Sequence, residues 1–376
     1  MMSSARPIAI VGAGPGGLML GCLLQSQGFD VSIFEADSHA GARRQGGSLD
    51  LHADSGLLAI EEAGLRREFD ALARYEDQCD SFYDQEGNLL LTRDFSEAVR
   101  PEIDRGQLRD LLLAKLAPGT VRWNIKIQGV ASAAEGHRLM SDEGDVGRFD
   151  LVVGADGAWS RVRKLITPQT PQPTGLVYYE WDIENIDVLH PALAALLPRG
   201  KIGAVAIDRG LIAQRSSGGQ VKVYLLIRDD AGEIGRLNRD TRVDVSELLH
   251  HLDGWSDSLR AFALAANGFA QFRSLCVLPG GTAWPSIAGI TLLGDAAHVM
   301  APFGGEGVNM ALEDARQLAH CLVQNSDWNA ATADYERAML ARVKDIAERC
   351  NAAAFTWPRQ TLAMIEKIRA QPSAVT

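Results

Sequence analysis

The sequence is poor in cysteine, has no long apolar run and carries no excess of positive charge, and each shortfall excludes a class of protein. Its five cysteines, Cys22, Cys79, Cys276, Cys321 and Cys350, are odd in number, scattered and without C-x-x-C spacing. Such a pattern gives neither a disulfide framework nor a cysteine-bound zinc, and no metal site is expected. No stretch of ~18 consecutive apolar residues occurs. Only MMSSAR precedes the first apolar segment, without the basic and hydrophobic parts of a signal peptide. The expectation is a cytoplasmic protein without a membrane span. With 37 Lys and Arg against 48 Asp and Glu, the net charge of −11 argues against an affinity built on neutralising phosphates. Nucleic acid is therefore not an expected partner. No internal repeat or low-complexity tract stands out.

What is present is a chain of 376 residues, 46% hydrophobic, long enough for two connected domains. PIAIVGAG reads as a buried strand, GGLMLGCLLQSQG as the helix after it and DVSIFEA as a second strand, which together form a βαβ unit. SFYDQEGNLLLTRD alternates around an E-G-N turn as a hairpin does. RGQLRDLLLAKLA is an amphipathic helix with Leu108, Leu111, Leu112 and Leu116 on one face. FDLVVGADGAWSRVRKLI again runs from an apolar strand through glycine toward a helix. From about 174 to 285 the segments GLVYYEWDIENI, IGAVAID, LIAQRSS and VKVYLLIRD are rich in β-branched and aromatic residues, as an inserted β-rich domain would be. GITLLGDAAH then supplies another buried strand, and GVNMALEDARQLAHCLVQ and the segment from Trp328 to Cys350 read as helices.

Gly12, Gly14 and Gly17 form G-x-G-x-x-G at the strand-to-helix turn. The first allows a tight turn, the second lets a pyrophosphate approach the backbone and the third permits close helix–sheet packing. Glu35 ends the second strand, where a carboxylate can accept hydrogen bonds from ribose hydroxyls. An ADP-containing cofactor follows, and this half of the pattern does not separate NAD from FAD. A second glycine-rich turn lies far along the chain, in GDAAHVMAPFGGEGVNMA. There Asp295 follows a strand and is placed to hydrogen-bond a polyol such as ribityl. Gly304, Gly305 and Gly307 open a helix whose free N–H groups could stabilise negative charge on a reduced flavin ring.

Through GAGPGG, GADGAWSRVR and GDAAHVMAPFGGEGVN the chain resembles the single-component FAD-dependent aromatic hydroxylases, the group A flavoprotein monooxygenases. GGSLDLH at 46–52 and PEIDRGQLRDLL at 101–112 are similar to the tetracycline-inactivating members. The resemblance implies an α/β fold: a Rossmann-like FAD-binding domain of glutathione-reductase type (1–173 and 286–330), an inserted β-rich substrate domain (174–285) and a C-terminal helical segment (331–376). It implies FAD as cofactor, NAD(P)H and dioxygen as co-substrates, and oxygen transfer from a flavin C4a-hydroperoxide to a phenolic or polycyclic small molecule, tetracycline-like compounds included. It associates Asp156 and Gly157 with FAD and the nicotinamide, Asp295 with ribityl, and Pro302, Gly305, Gly307, Val308 and Asn309 with the flavin ring. Arg105 and Arg109 match positions near the flavin, and Asp50 a carboxylate beside it. The tetracycline-inactivating enzymes carry a basic residue directly after the acid of the second strand. Here that position is Ala36, which leaves Arg43 or Arg44 for the pyrophosphate.

The aligned substrate positions hold Glu180 and Lys222, and Phe303 could face the substrate. Ala301-Pro302 and Glu306 stand where many members have a proline pair and a glutamine. A carboxylate at 306 would disfavour an anionic reduced flavin unless it is neutral or paired. No side chain is assigned as catalytic, since the chemistry is centred on flavin. His298 and His52 fit a packed, hydrogen-bonded role as readily as an acid–base one. Tyr178, Tyr179, Trp181 and Tyr224 fit either an aromatic substrate wall or ordinary core. A flavin oxidase or reductase without oxygen transfer would share the FAD motifs, and a non-catalytic nucleotide-binding module would need only the first.

Overall fold

The computed structural model describes residues 6–43, 45–94, 99–232, 234 and 242–369. Strand Ile8–Val11 consists of four apolar residues, all buried, as a strand covered on both faces must be. It pairs in parallel with Leu151–Gly154 on one side and Val31–Phe34 on the other. Ile290–Leu292 beyond the first and Val121–Arg122 beyond the second complete a five-stranded parallel sheet. Its register brings three distant glycine-bearing segments together, because Val11 lies opposite Gly154 and Gly154 opposite Leu292. The three turns leave the sheet at one edge, the carboxyl ends of its strands, where open α/β sheets form their ligand crevice.

Helix Pro15–Ser26 starts with proline at its first turn, where the missing N–H costs nothing. Its approach to the sheet is set by Gly17: a Cβ there would lie 2.2 Å from the Gly12 carbonyl oxygen and 3.3 Å from Ile10. The preceding Gly16 faces helix Glu306–Gln324, and a Cβ there would come within 3.2 Å of the Ala311 side chain. Two glycines in succession thus fit the helix between a sheet and a second helix.

The other large sheet has eight strands in the order Arg242–Asp244, Phe269–Val277, Gln172–Ile183, Val221–Arg228, Arg209–Arg215, Lys201–Val205, Cys79–Tyr83, Leu89–Asp94. One face buries Val177, Tyr179, Trp181 and Ile183 against Leu248, Leu252, Leu259 and Phe262 from the helical segments 245–252 and 257–264, forming a second core. The opposite face looks toward the crevice of the parallel sheet.

Two boundaries in the expected domain division differ from this architecture. The eight-stranded sheet is not confined to 174–285, since the 79–94 hairpin joins it through parallel pairing of Cys79–Tyr83 with Lys201–Val205. That pairing links residues more than a hundred positions apart and leaves no local trace in sequence. The division at 330/331 falls inside helix Trp328–Thr356, which starts with an Asp327 side-chain cap and continues unbroken. Tyr335 of that helix donates to the Leu292 carbonyl at 2.9 Å, so its packing belongs to the parallel-sheet body. Among the described residues no helix is long and apolar enough to cross a membrane.

Gly17→Ala should destabilise the fold by about 1–3 kcal/mol through overpacking against Gly12. A urea midpoint lower than wild type is expected, and an unchanged midpoint would contradict the close helix–sheet approach.

Candidate cofactor and substrate site

Between the two sheets lies one continuous cavity of about 2190 Å³. At its first end Gly12 adopts φ +109°, a conformation side chains rarely accept, and a Cβ there would meet the Ala155 carbonyl oxygen at 2.3 Å. Gly14 is extended, and a Cβ added to it would find nothing within 4 Å. The turn therefore opens to the cavity at Gly14 and is closed by protein at Gly12 and Gly17. Glu35 is fixed beside it: the N–H of Ala13 donates to Oε2 at 2.8 Å and that of Asp37 to Oε1 at 2.9 Å. Each oxygen keeps a lone pair for a ligand hydroxyl.

The four arginines singled out from the sequence divide. Arg43 lines the cavity with its Nε 2.9 Å from Asp37 Oδ2. Arg105 lines it exposed at the start of helix Arg105–Lys115. Arg109 also borders the cavity, but it is buried, donating to the Ala40 carbonyl at 3.0 Å and reaching Asp37 at 3.3 Å, and so ties the 37–43 loop down. Arg44 lies outside the described residues.

At the second turn Asp156 and Gly157 border the cavity, yet the Asp156 carboxylate is engaged by its own segment, accepting from Ser160 Oγ at 2.5 Å and Arg161 N–H at 2.7 Å. Sequence reasoning missed Arg163, which is fully buried and donates to the carbonyls of Ala158 (2.5 Å) and Ala296 (2.9 Å). It locks the second glycine-bearing turn to the third. The signal was the last arginine of SRVR, placed just inside a helix where an exposed charge would have been unremarkable.

The third turn is held from behind by Asp314, which is completely buried. Its Oδ2 accepts from the Gly294 N–H at 2.9 Å and faces His298 Nε2 at 2.6 Å, while Arg342 donates to Oδ1 at 2.5 Å. Burial opposes ionisation of both partners. The opposite charge across the pair outweighs it, raising His298 above and lowering Asp314 below their ordinary values. His298 is thus a structural residue facing away from the main cavity. Asp295, Pro302, Gly305, Gly307, Val308 and Phe303 all line that cavity.

Asn309 differs from the expected flavin-ring contact. It is buried behind the wall, its side chain donating to the carbonyls of Asp50 (2.8 Å) and Gly305 (2.9 Å) and accepting from the His52 N–H (2.8 Å). The asparagine fastens the strand carrying Asp50 to the start of helix Glu306–Gln324. So close is that contact that a Cβ on Gly305 would overlap the Asp50 carboxylate at 2.2 Å.

On the far wall the eight-stranded sheet presents side chains in rows fixed by register. Asp182, Lys222, Gln214, Lys201 and Asp80 form a charged row; Glu180, Tyr224, Ile212, Gly203 and Phe82 a mixed one; and Tyr178, Leu226, Gly210 and Val205 an apolar one, with Trp357 against Gly210. Both charges expected to meet substrate are paired, Lys222 with Asp182 at 2.6 Å and Glu180 with Arg273 at 3.2 Å. Alternation explains the aromatics. Tyr178 and Tyr224 meet edge to face on the cavity side, whereas Tyr179 packs in the second core against Phe272. Burial pushes the Tyr178 phenol up to about 12, with Glu180 adding to the effect.

Sequence reasoning also missed the buried carboxyl of Glu102. It pairs with Asp50 across a two-stranded antiparallel sheet of Ser48–Asp50 with Glu102–Asp104 and accepts from Ser48 Oγ and from Gln214 Nε2 at 3.1 Å. Burial pushes it up to about 7 against the Ser48 hydrogen bond. For Lys201 nearby, burial is outweighed by Asp80, Glu102 and Asp50, and the ammonium stays charged.

A family model described as FAD binding domain matches residues 6–349. The chain belongs to this FAD-binding family. It is 29% identical over 389 residues to the monooxygenase penA of Penicillium thymicola, covering 90% of this chain and 89% of that protein. Among solved structures, HpxO of Klebsiella pneumoniae, complexed with FAD and uric acid, matches with a TM-score of 0.82 at 19% identity over 98% of this chain and 94% of that one. Tetracycline destructase Tet(51) matches with a TM-score of 0.71 at 17% identity over 98% and 97%. At those identities the two structures speak for the fold. The protein is an FAD-dependent monooxygenase. Its residues fit the cofactor: the glycine positions 14, 157 and 307 leave open cradles a Cβ would enter, and Glu35 is oriented for a ribose.

Gly14→Val should leave the urea midpoint unchanged, since its Cβ meets no protein atom, yet weaken FAD binding at least 100-fold, about 3 kcal/mol. FAD titration at wild-type affinity would contradict the phosphate-loop assignment.

Proposed function

We propose that the monooxygenase uses NAD(P)H and dioxygen to hydroxylate an aromatic small molecule of phenolic or polycyclic type, with tetracycline-like compounds among the candidates. The carrying observation is the cavity. Its 2190 Å³ exceeds the ~300–1,000 Å³ of ordinary small-molecule sites and leaves room for a second molecule beside FAD. In that assignment the turn shaped by Gly12 and Gly17 receives the pyrophosphate at Gly14, Glu35 the ribose, Asp295 the ribityl chain, and Pro302 to Val308 the flavin ring. Bound flavin supplies the oxygen-activating chemistry.

The chain's own residues do the rest. Tyr178, Leu226, Val205, Ile212 and Phe303 give an aromatic ring an apolar, water-poor seat. The row from Asp182 to Asp80 holds hydrogen-bonding groups against the polar end of the substrate. Lys222 and Glu180 meet the substrate as members of ion pairs, so they select for polar pattern more than for net charge. The five free thiols and the net charge of −11 favour work in the cytoplasm on a small molecule rather than on nucleic acid.

The test incubates the FAD-loaded protein with NADPH or NADH, heavy-isotope dioxygen and a panel of phenolic and polycyclic acceptors that includes a tetracycline. Expected are at least tenfold faster nicotinamide oxidation with one acceptor and a product carrying one labelled oxygen. Nicotinamide oxidation that yields only hydrogen peroxide, with every acceptor unlabelled, would overturn the proposal in favour of an oxidase.

A further inference from the structure

His52 sits buried between two carboxylates at the start of helix Glu306–Gln324. Its Nε2 is 3.1 Å from Asp50 Oδ2 and its Nδ1 3.7 Å from Glu306 Oε2. A neutral imidazole carries one N–H. With that hydrogen on Nε2 toward Asp50, the lone pair of Nδ1 would face the Glu306 carboxylate, an unfavourable contact in a buried place. One further proton relieves it, whether it resides on His52 or on Glu306. In either position the two residues together carry no net charge.

The surroundings keep Asp50 as the anion of the group. Burial works against its ionisation, but the His52 hydrogen bond and Lys201 outweigh it and hold its carboxyl below the ordinary value. Arg100 Nη1 lies 3.9 Å from the same oxygen, and Glu102 pairs across from Asp50. On the other side Glu306 acts on Cys350, where Arg349 is also felt. The backbone is fixed as well, because Asn309 receives the His52 N–H and binds the Asp50 and Gly305 carbonyls. The ring cannot turn away from Glu306 without breaking its bond to Asp50.

We infer that His52 is a positioning residue that shares a proton with Glu306 and so cancels the negative charge of that glutamate beside the flavin-ring end of the cavity. The inference rests on the placement of the ring at Pro302 to Val308. Two-electron reduction with uptake of one proton leaves one negative charge on a flavin, which an uncompensated carboxylate at 306 would disfavour. His52 thereby offsets the glutamate and leaves the N–H groups of the helix start to act on the ring.

The experiment measures the two-electron midpoint potential of bound FAD at neutral pH in wild type, His52→Gln, Glu306→Gln and the double variant. His52→Gln should lower the potential by at least a tenfold change in the reduction equilibrium, about 30 mV for two electrons. Adding Glu306→Gln should restore it, which a purely structural role for His52 would not produce. Glu306→Gln alone should leave the potential within about 10 mV of wild type, because the pair it replaces already carries no net charge, and a rise of about 30 mV or more would overturn the shared proton. This arm stands even if His52→Gln fails to fold. If Glu306→Gln raises the potential but His52→Gln does not lower it, the shared proton is refuted while the ring placement survives. If neither variant moves the potential, the ring placement itself is refuted.

Discussion

The buried Asp314 carboxylate decides where the third glycine-bearing turn of the crevice lies. It satisfies the Gly294 N–H, His298 and Arg342 from one side chain that water does not reach. Removing one partner of such a group leaves a buried charge uncompensated, at a cost of about 3–5 kcal/mol, so the turn, the helix Glu306–Gln324 and the helix Trp328–Thr356 hold their places together. The parallel register supplies the other half of the constraint, because it delivers Val11, Gly154 and Leu292 to one edge. Given those two facts, the distances among the three glycine-bearing turns leave little freedom. Arg163 then closes the remaining gap by donating to carbonyls of both later turns.

The two sheets divide the work. The parallel sheet fixes backbone, and backbone suits an extended, polyanionic cofactor because its N–H groups bind phosphate wherever glycine lets the chain come close. The eight-stranded sheet fixes side chains, and its rows grade from charged to apolar in steps of two residues along each strand. A single change at Tyr178, Ile212 or Lys222 therefore alters this wall of the cavity without moving the glycine-bearing turns opposite. The two-stranded sheet of Ser48–Asp50 with Glu102–Asp104 sits where these regimes meet, with Glu102 turned to the eight-stranded sheet and Asp50 to the helix start.

Local signals carried the cofactor half of the molecule in the sequence. Gly12, Gly14 and Gly17 have a spacing set by one turn and one helix; the structure packs Gly12 and Gly17 against backbone and leaves Gly14 open to the cavity. The substrate half was legible only as a run of strands. Which strand neighbours which depends on contacts between distant residues, so neither the hairpin at 79–94 nor the meeting of Glu102 with Gln214 could be read in advance. Alternation within one strand was legible in principle: had Tyr178 been assigned to the cavity, Tyr179 and Trp181 would have followed into the core. Asn309 and Arg109 show the other failure. Both stand within motifs tied to the cofactor, and both act by holding loops, a distinction that rests on which hydrogen bonds the surrounding backbone leaves open.

The central claim is that the turns at Gly12–Gly17 and Asp295–Val308 grip opposite ends of one FAD. A crystal structure of the FAD-bound protein tests it most directly. The account predicts the pyrophosphate against the backbone at Gly14, a ribose hydroxyl on Glu35 and the ring beside Gly305 to Val308. Density for the pyrophosphate away from Gly14, or for the ring away from the start of helix Glu306–Gln324, would contradict it.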